Sequence, residues 1–323
     1  MPTHPTDWFR DAGWGVFCHY LADTASNSNP IPMTADDWNR QVDAFDLKGF
    51  ADQIESTGAR FVFVTIGQNS GFFCAPNETY DEIVGISPSK LSRRDLISDI
   101  ADELKPRGVD LLAYLPAGAP AADPVAMEAL EWEWGYEGGW PHGHQVRTGK
   151  RLVEFQLKWE AVIRDWSTRF GDKVRGWWID GCYFPDGMYR HPDAPNIFSF
   201  ADALRAGNPE SLVAFNPGVV YPIITMTEAE DYTAGEINEC EREKCEGRWV
   251  EHAQWQMLSY LGQTWGKGPV RYSDEQAAAF TRDAIAHDGV VSWDVQIGAN
   301  GLIQQEFVEQ LVAIGKLLST PTA

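Results

Sequence analysis

Short apolar runs alternate with longer amphipathic stretches along the whole chain. Segments 13–20, 59–66, 109–115 and 174–181 are almost wholly apolar, which is typical of strands covered on both faces. Between such runs apolar residues recur at helical spacing, as in 93–108. Strand-then-helix units that repeat in this way predict a parallel sheet covered by helices.

The later part of the chain continues the pattern. It predicts strands at 211–216 and 290–297, a short run at 231–237, and helices at 150–170, 198–206, 274–287 and 304–318. Six or seven such units in about 310 residues suit a (β/α)8 barrel better than an open sheet. No glycine-rich dinucleotide loop follows the first strand, which counts against a Rossmann fold. The predicted fold is therefore α/β, a single TIM-like (β/α)8 barrel domain over residues 1–323.

The amino-acid composition limits the classes of partner that the protein is expected to bind. The 323 residues carry 47 acidic and 26 basic side chains, a formal net charge of -21. This charge repels phosphate backbones and anionic lipid, so we expect neither nucleic acid nor a membrane surface as a partner. No apolar run of about 18 residues occurs and the first residues lack a signal-peptide pattern, so a cytoplasmic enzyme is expected. A homo-oligomer is left open.

The five cysteines do not form a recognisable metal or disulfide framework. They are odd in number, scattered, and never in a CxxC arrangement. The HxH at His142 and His144 has no acidic ligand at a fixed spacing, so it gives little support for a metal site. We therefore expect no metal and no organic cofactor.

Active sites of (β/α)8 barrels lie at the carboxyl ends of the strands. The strand order gives candidates in sequence: His19, Gln68 and Asn69, Tyr114, Asp180, Asn216, Glu236, then Trp293 and Asp294. Carboxylates, a histidine, amides and aromatic rings at one mouth are typical of a carbohydrate site. Fourteen tryptophans, among them Trp178 beside Asp180, offer flat apolar faces suited both to cores and to sugar rings.

Two carboxyl groups are the candidates for catalysis. Asp180 ends the apolar strand of WWIDGCY, where an unneeded carboxylate would be costly to bury. It is predicted to be a nucleophile, the alternative being a hydrogen bond to loop amides. Retaining glycoside hydrolysis needs a second carboxyl group about 5–5.5 Å away. Glu236 is favoured among Glu228, Glu230, Asp231, Glu236 and Glu239 because it lies nearest a predicted strand end.

The loop at 128–147 and His19 each have more than one interpretation. The loop at 128–147 is rich in Trp, Gly and His. Its Trp132, Trp134 and Trp140 suit a substrate lid, a hydrophobic cover or an oligomer contact equally. His19 is either an active-site residue or a satisfied core histidine. Acyl transfer is disfavoured because the chain has no GxSxG motif.

The order of motifs resembles the catalytic barrel of glycoside hydrolase family 29, the α-L-fucosidases. WGVFCHY resembles the family's FGIFIHWG, WWIDG its WFDG, AFNPG with DYTAGE its VNDR with DYxTPE, and QTWGKG its SWGY. The resemblance runs from about residue 9 to 318. It implies that Asp180 is the nucleophile and Glu236 the acid/base. It also implies that His19 contacts a sugar hydroxyl and that Tyr114 and Trp265 form the pocket wall.

This chain departs from the family at two places. Gly67, Gln68, Asn69 and Ser70 stand where the family has KHHDG, and Gly218 stands where NDR has its arginine. Those family residues hold fucose hydroxyls, so this site is expected to read a different hydroxyl pattern. Many family members also have a C-terminal β-sandwich, which is not expected here because the sequence stops just after the last barrel helix.

The leading hypothesis is a retaining exo-glycosidase acting on α-L-fucosides or a related sugar. One alternative is a non-catalytic carbohydrate-binding barrel. Another is a barrel hydrolase or lyase for a different sugar linkage. A second carboxyl group within roughly 6 Å of Asp180 separates the enzyme from the binding module.

Overall fold

The computed structural model describes residues 4–25, 30–133, 151–182 and 189–320, together with a short antiparallel pair, Tyr136–Glu137 and His144–Gln145. Eight parallel strands form one sheet. They are β1 (Trp14–Cys18), β2 (Phe61–Thr65), β3 (Asp110–Pro116), β4 (Val174–Asp180), β5 (Leu212–Phe215), β6 (Gly235–Glu236), β7 (Gln256–Tyr260) and β8 (Val290–Val295).

The strand order is β5-β4-β3-β2-β1-β8-β7-β6. The two ends of the sheet are therefore strands that follow each other in the chain, as in a barrel. Central pairs are regular: Val16 of β1 lies opposite Val62 of β2 and Trp293 of β8. This arrangement confirms the predicted (β/α)8 fold class.

The seam between β5 and β6 is closed by Asp231. Its backbone N–H donates to the Val213 carbonyl at 2.8 Å, and its Oδ2 accepts the Val213 N–H at 2.8 Å. The same Oδ2 accepts from Arg205 at 2.5 Å. At this seam the Asp231 side-chain oxygen takes the place of a backbone carbonyl of a neighbouring strand. The buried Val213 N–H therefore has a hydrogen-bond partner where the barrel closes.

Ten α-helices surround the described sheet. They are α1 (Asp7–Ala12), α2 (Ala35–Asp43), α3 (Leu47–Thr57), α4 (Glu78–Val84), α5 (Leu96–Leu104), α6 (Pro124–Ala129), α7 (Val153–Phe170), α8 (Ile197–Leu204), α9 (Asp274–Ala286) and α10 (Gln305–Ser319). Local signals explain several boundaries. Thr34 forms a capping box with Asp37 at the start of α2, and Gly58 ends α3 at φ 78°.

The alternation of strands and helices is less regular than the sequence predicts. Residues 216–234, all of them described, contain no helix between β5 and β6. Only the short 3-10 turn Cys240–Arg242 lies between β6 and the hairpin Trp249–Val250 and Ala253–Gln254. The sequence analysis also missed β7, whose Gln256 and Ser259 interrupt the apolar pattern.

Successive residues of each strand separate two apolar layers. In β1, Phe17 packs inside the barrel, whereas Val16 and Cys18 pack between the sheet and the helices. Phe9 of α1 also joins the interior layer, its ring 4.8 Å from that of Phe61 and 5.0 Å from that of Tyr232. The interior is thus a packed aromatic core.

The five cysteines are all buried free thiols. Over the described ranges, none of the helices has both the length and the apolar character needed to cross a membrane.

Candidate active site

A pocket opens where the strands end. It is lined by Phe17, His19, Ala25, Gln68, Tyr114, Trp178, Asp180, Asn216, Glu236, Leu258 and Trp265. The enclosed cavity between these side chains is small, about 60 Å³. Eight of the predicted site residues, Trp178 among them, therefore meet in one place.

Asp180 is held at the floor of this pocket by hydrogen bonds to both carboxylate oxygens. Tyr114 Oη donates to Oδ2 at 2.6 Å, and Asn216 Nδ2 donates to Oδ1 at 2.8 Å. Gln68 Nε2 in turn donates to Tyr114 Oη at 2.6 Å. The Asp180 backbone carbonyl accepts the Ala117 N–H at 2.6 Å, which ties β4 to the end of β3. The carboxylate is thus fixed in orientation from two neighbouring strands.

Asn216 joins the two carboxyl groups. Its Oδ1 accepts the Gly218 N–H at 2.6 Å, which turns Nδ2 toward the pocket. Nδ2 donates to Asp180 Oδ1 at 2.8 Å and to Glu236 Oε2 at 2.7 Å. Because both bonds start from one nitrogen, these two oxygens lie no farther apart than the two lengths combined, 5.5 Å. The second carboxyl group predicted within about 6 Å of Asp180 is present.

Burial changes the acidity of this pair. Desolvation raises the pKa of Asp180, opposed by the hydrogen bonds from Tyr114 and Asn216. Desolvation, with the negative field of Asp180 added, raises the pKa of Glu236 to about 7. The hydrogen bond from Asn216 acts in the opposite direction on Glu236. The pair therefore favours one shared proton near neutral pH, carried by Glu236.

His19 forms the opposite wall together with the last strand. Its Nδ1 lies 2.7 Å from Asp294 Oδ1, and Asp294 Oδ2 accepts the Gly266 N–H at 2.5 Å. Trp265, one residue earlier, lines the pocket with its ring 6.3 Å from that of His19 and 4.8 Å from that of Tyr260. His19 therefore lines the pocket and is not an isolated core histidine.

Apolar side chains complete the pocket. The Trp178 ring lies edge-on to those of Phe17 and Phe63, with ring centroids 6.0 and 6.1 Å apart. These contacts fix the Trp178 ring below the carboxylates. The sequence analysis missed Phe17, Leu258 and Ala25. The period-two pattern of a barrel strand was the available signal for Phe17, since it stands two positions before His19.

Some predicted residues lie elsewhere. Trp293 is fully buried outside the barrel interior, where its Nε1 donates to Thr281 Oγ1 at 3.0 Å. The prediction that it contacts sugar is corrected, because Trp293 and Asp294 point to opposite faces of β8. Asn69 does not line the pocket, and its backbone carbonyl accepts the Ala122 N–H at 2.8 Å.

Several candidate residues of the acidic segment and of the tryptophan-rich loop are not found in the pocket. Glu239 pairs with Arg242 at 3.0 Å on the surface, and neither it nor Glu228 lines the pocket. Trp132 packs on Phe155, with ring centroids 4.4 Å apart. Trp134, Trp140 and His142 lie outside the described residues, and only the backbone of His144 is described.

No group of three or more His, Cys, Asp or Glu side chains capable of holding a metal ion occurs among the residues that the structure describes. The chemistry available in the pocket is that of two carboxyl groups of different acidity, a histidine, a tyrosine and two amides.

A (β/α)8 barrel with two carboxyl groups at the strand ends defines a glycoside-hydrolase type of site. A family model described as Alpha-L-fucosidase matches residues 32–321. The chain therefore belongs to the alpha-L-fucosidase family, which confirms the resemblance found in the sequence, and it is a glycoside hydrolase.

Solved structures agree on the fold. An endo-fucoidan hydrolase of glycoside hydrolase family 107 superposes with a TM-score of 0.70 at 16% identity, over 97% of this chain and 94% of that one. A second one has a TM-score of 0.71 at 17% identity, over 97% of this chain but only 53% of its own length. Alpha-L-fucosidase isoenzyme 1 from Paenibacillus thiaminolyticus has a TM-score of 0.68 at 15% identity, over 97% and 75%. No curated protein matches the sequence.

Proposed function

We propose that the protein is a retaining exo-glycosidase that releases α-L-fucosyl residues or a closely related sugar. The observation that carries this proposal is the Asp180–Asn216–Glu236 bridge, which limits two carboxylate oxygens to at most 5.5 Å. Retaining glycosidases place their carboxyl groups about 5–5.5 Å apart, whereas inverting enzymes need about 6.5–9.5 Å to admit a water.

In the first step, Asp180 attacks the anomeric carbon and the glycosidic bond breaks. Glu236 gives its proton to the departing oxygen. The raised pKa of Glu236, about 7, keeps that proton available near neutral pH. In the second step, Glu236 accepts a proton from water, whose oxygen attacks the anomeric carbon and releases Asp180. Tyr114 and Asn216 hold Asp180 in place through both steps.

The family and the fucosidase and fucoidan-hydrolase neighbours support a fucosyl substrate. The pocket is closed at its floor by the packed barrel interior, which supports an exo mode of action, since such a site admits a terminal ring rather than the middle of a chain. Trp178, Leu258 and Trp265 offer apolar surface for the C6 methyl group of a 6-deoxy sugar. Gln68, which stands in the family's histidine-pair segment, supports a hydroxyl pattern unlike that of simple fucosides.

The second carboxyl group beside Asp180, with its pKa raised to about 7, favours the enzyme over the non-catalytic alternative. A cytoplasmic location, a homo-oligomer and the lack of nucleic-acid binding stay predictions.

The test is hydrolysis of a panel of aryl glycosides and fucosyl oligosaccharides by wild type and by Asp180→Gly. We expect wild-type turnover, loss in the variant, and rescue by azide as a glycosyl azide of inverted configuration. Glu230→Gln is the matched control, since this buried carboxyl group lies outside the pocket, and it should retain activity. A wild type that hydrolyses no member of the panel, or an Asp180→Gly that retains full activity, would overturn the proposal.

A further inference from the structure

Asp294 is a fully buried carboxylate in the last barrel strand, β8. A carboxylate removed from water is costly unless hydrogen bonds replace its hydration. Both of its oxygens have a close nitrogen partner: Oδ1 lies 2.7 Å from His19 Nδ1, and Oδ2 accepts the Gly266 backbone N–H at 2.5 Å. Asp294 itself does not line the pocket. Asp294 therefore acts on the pocket through its two hydrogen-bond partners rather than by direct contact with a ligand.

The two partners of Asp294 belong to different walls of the pocket. His19 follows β1, whereas Gly266 lies in the turn after β7 that carries Trp265. This turn is closed by hydrogen bonds between Gln263 and Lys267 and between Thr264 and Lys267. One carboxylate thus connects a histidine on one strand with a tryptophan turn on another, and both His19 and Trp265 line the pocket.

We propose that Asp294 is a positioning residue for substrate recognition, which fixes the ring of His19 and the Trp265 turn as one unit. Resting on the proposed function, the inference assigns to His19 a defined role toward the sugar. Asp294 holds the Nδ1 proton, so the neutral ring presents Nε2 to the pocket as a hydrogen-bond acceptor. A sugar hydroxyl facing it therefore acts as a donor.

A neighbouring pair in the same strand shows what a purely structural contact looks like. Ser292, two positions before Asp294, accepts from Gln256 Nε2 at 3.0 Å inside the barrel. Both residues are fully buried, and neither lines the pocket. Ser292→Ala removes a buried hydrogen bond from β8 without touching His19 or the Trp265 turn. It is the matched control for any variant of Asp294.

The first experiment needs no substrate and no variant of Asp294. Nitrogen-15 NMR of histidine-labelled wild type distinguishes a protonated Nδ1 from a protonated Nε2, with the His19 signals assigned by their loss in His19→Gln. We expect the Nδ1-protonated tautomer in the neutral ring. Finding the Nε2-protonated tautomer in wild type would overturn the proposal, whatever the activity of the protein on fucosides.

The second experiment uses Asp294→Asn, whose amide nitrogen can donate to His19 Nδ1 and so move the ring proton to Nε2. We expect this tautomer change, together with a fall in kcat/KM of roughly 10- to 100-fold, as when residues that orient metal-binding histidines are altered. Ser292→Ala should change neither. If Asp294→Asn does not fold, Asp294→Glu keeps a carboxylate and should retain the wild-type tautomer.

A double-mutant cycle tests the link between the two walls. Residues that act through one network give non-additive effects. We expect Asp294→Asn and Trp265→Phe together to depart from the product of their single effects on kcat/KM by threefold or more. Additive effects would remove the Trp265 turn from the proposed unit. A protein without activity on the panel would contradict the proposed function, while the tautomer measurement would still decide the role of Asp294.

Discussion

Two glutamates only six positions apart lie in very different surroundings. Desolvation raises the pKa of Glu236 to about 7 and that of Glu230 to about 8. Glu236 faces Asp180 across Asn216 in the pocket. Glu230 instead accepts backbone N–H groups of Met226 and Thr227, near the seam between β5 and β6. A raised pKa therefore reports burial, whereas catalytic use also requires space for a ligand and a partner carboxylate.

The largest expected difference is in activity. Glu236→Gln should lower kcat/KM by about 10²–10⁴-fold, because the departing oxygen loses its proton donor. The loss should be smaller for aryl glycosides with acidic leaving groups, which depart without a proton. Glu230→Gln should stay within about twofold of wild type. Steady-state kinetics on two leaving groups measure both variants, and equal losses would erase the distinction between the two glutamates.

A smaller effect is expected from the amide that joins the catalytic pair. Asn216→Ala should lower kcat/KM by about 10- to 100-fold, since a hydrogen bond to a charged group contributes roughly 1.5–3 kcal/mol. It should also raise the pKa of Glu236, because the Asn216 hydrogen bond lowers it. The pH profile of kcat/KM should then extend to higher pH. An unchanged profile would show that Asn216 does not tune the pair.

The pH dependence of wild type should be bell-shaped. Activity requires Glu236 with its proton and Asp180 without one. The pKa of Glu236 near 7 sets the basic limb, so kcat/KM should fall about tenfold per pH unit above that value. The acidic limb should lie above the ordinary Asp value, because burial raises the pKa of Asp180. A basic limb that persists in Glu236→Gln would belong to another group.

The smallest expected effect concerns stability at the seam. Between the ordinary Glu value of 4.5 and about 8, folded Glu230 keeps a proton that the unfolded chain has released. The free energy of unfolding therefore decreases as pH rises through this range. Glu230→Gln should be more stable than wild type at pH 8, by at most about 1.4 kcal/mol for each pH unit above the ordinary Glu value, and similar at pH 4.5. Chemical denaturation at the two pH values measures this, and a pH-independent difference would argue against a protonated Glu230.

The strand ends were predictable from sequence because apolar runs followed by one polar residue are unambiguous in a buried parallel sheet. That rule placed Asp180, Asn216 and Glu236 together. It failed for Trp293, since it gives the end of a strand but not which neighbour points inward. The same rule could not predict contacts between residues that are distant in the sequence. The bonds from Asp294 to His19 and to Gly266 join residues far apart in the chain, and nothing local marks them.

No helix lies in the described segment between β5 and β6, so we expect the sheet to open locally more easily at this seam than elsewhere. β4, which carries Asp180, has hydrogen-bonded strands on both sides, whereas β6, which carries Glu236, pairs along its length only with β7. Amide hydrogen exchange depends on such local opening. Amides around 212–215 and 230–236 should exchange before those of β2, β3 and β4. Asp180, the proposed nucleophile, thus lies on a strand paired on both sides, whereas Glu236, the proposed acid/base, lies on a strand at the seam, so a bound sugar should slow exchange mainly at the seam.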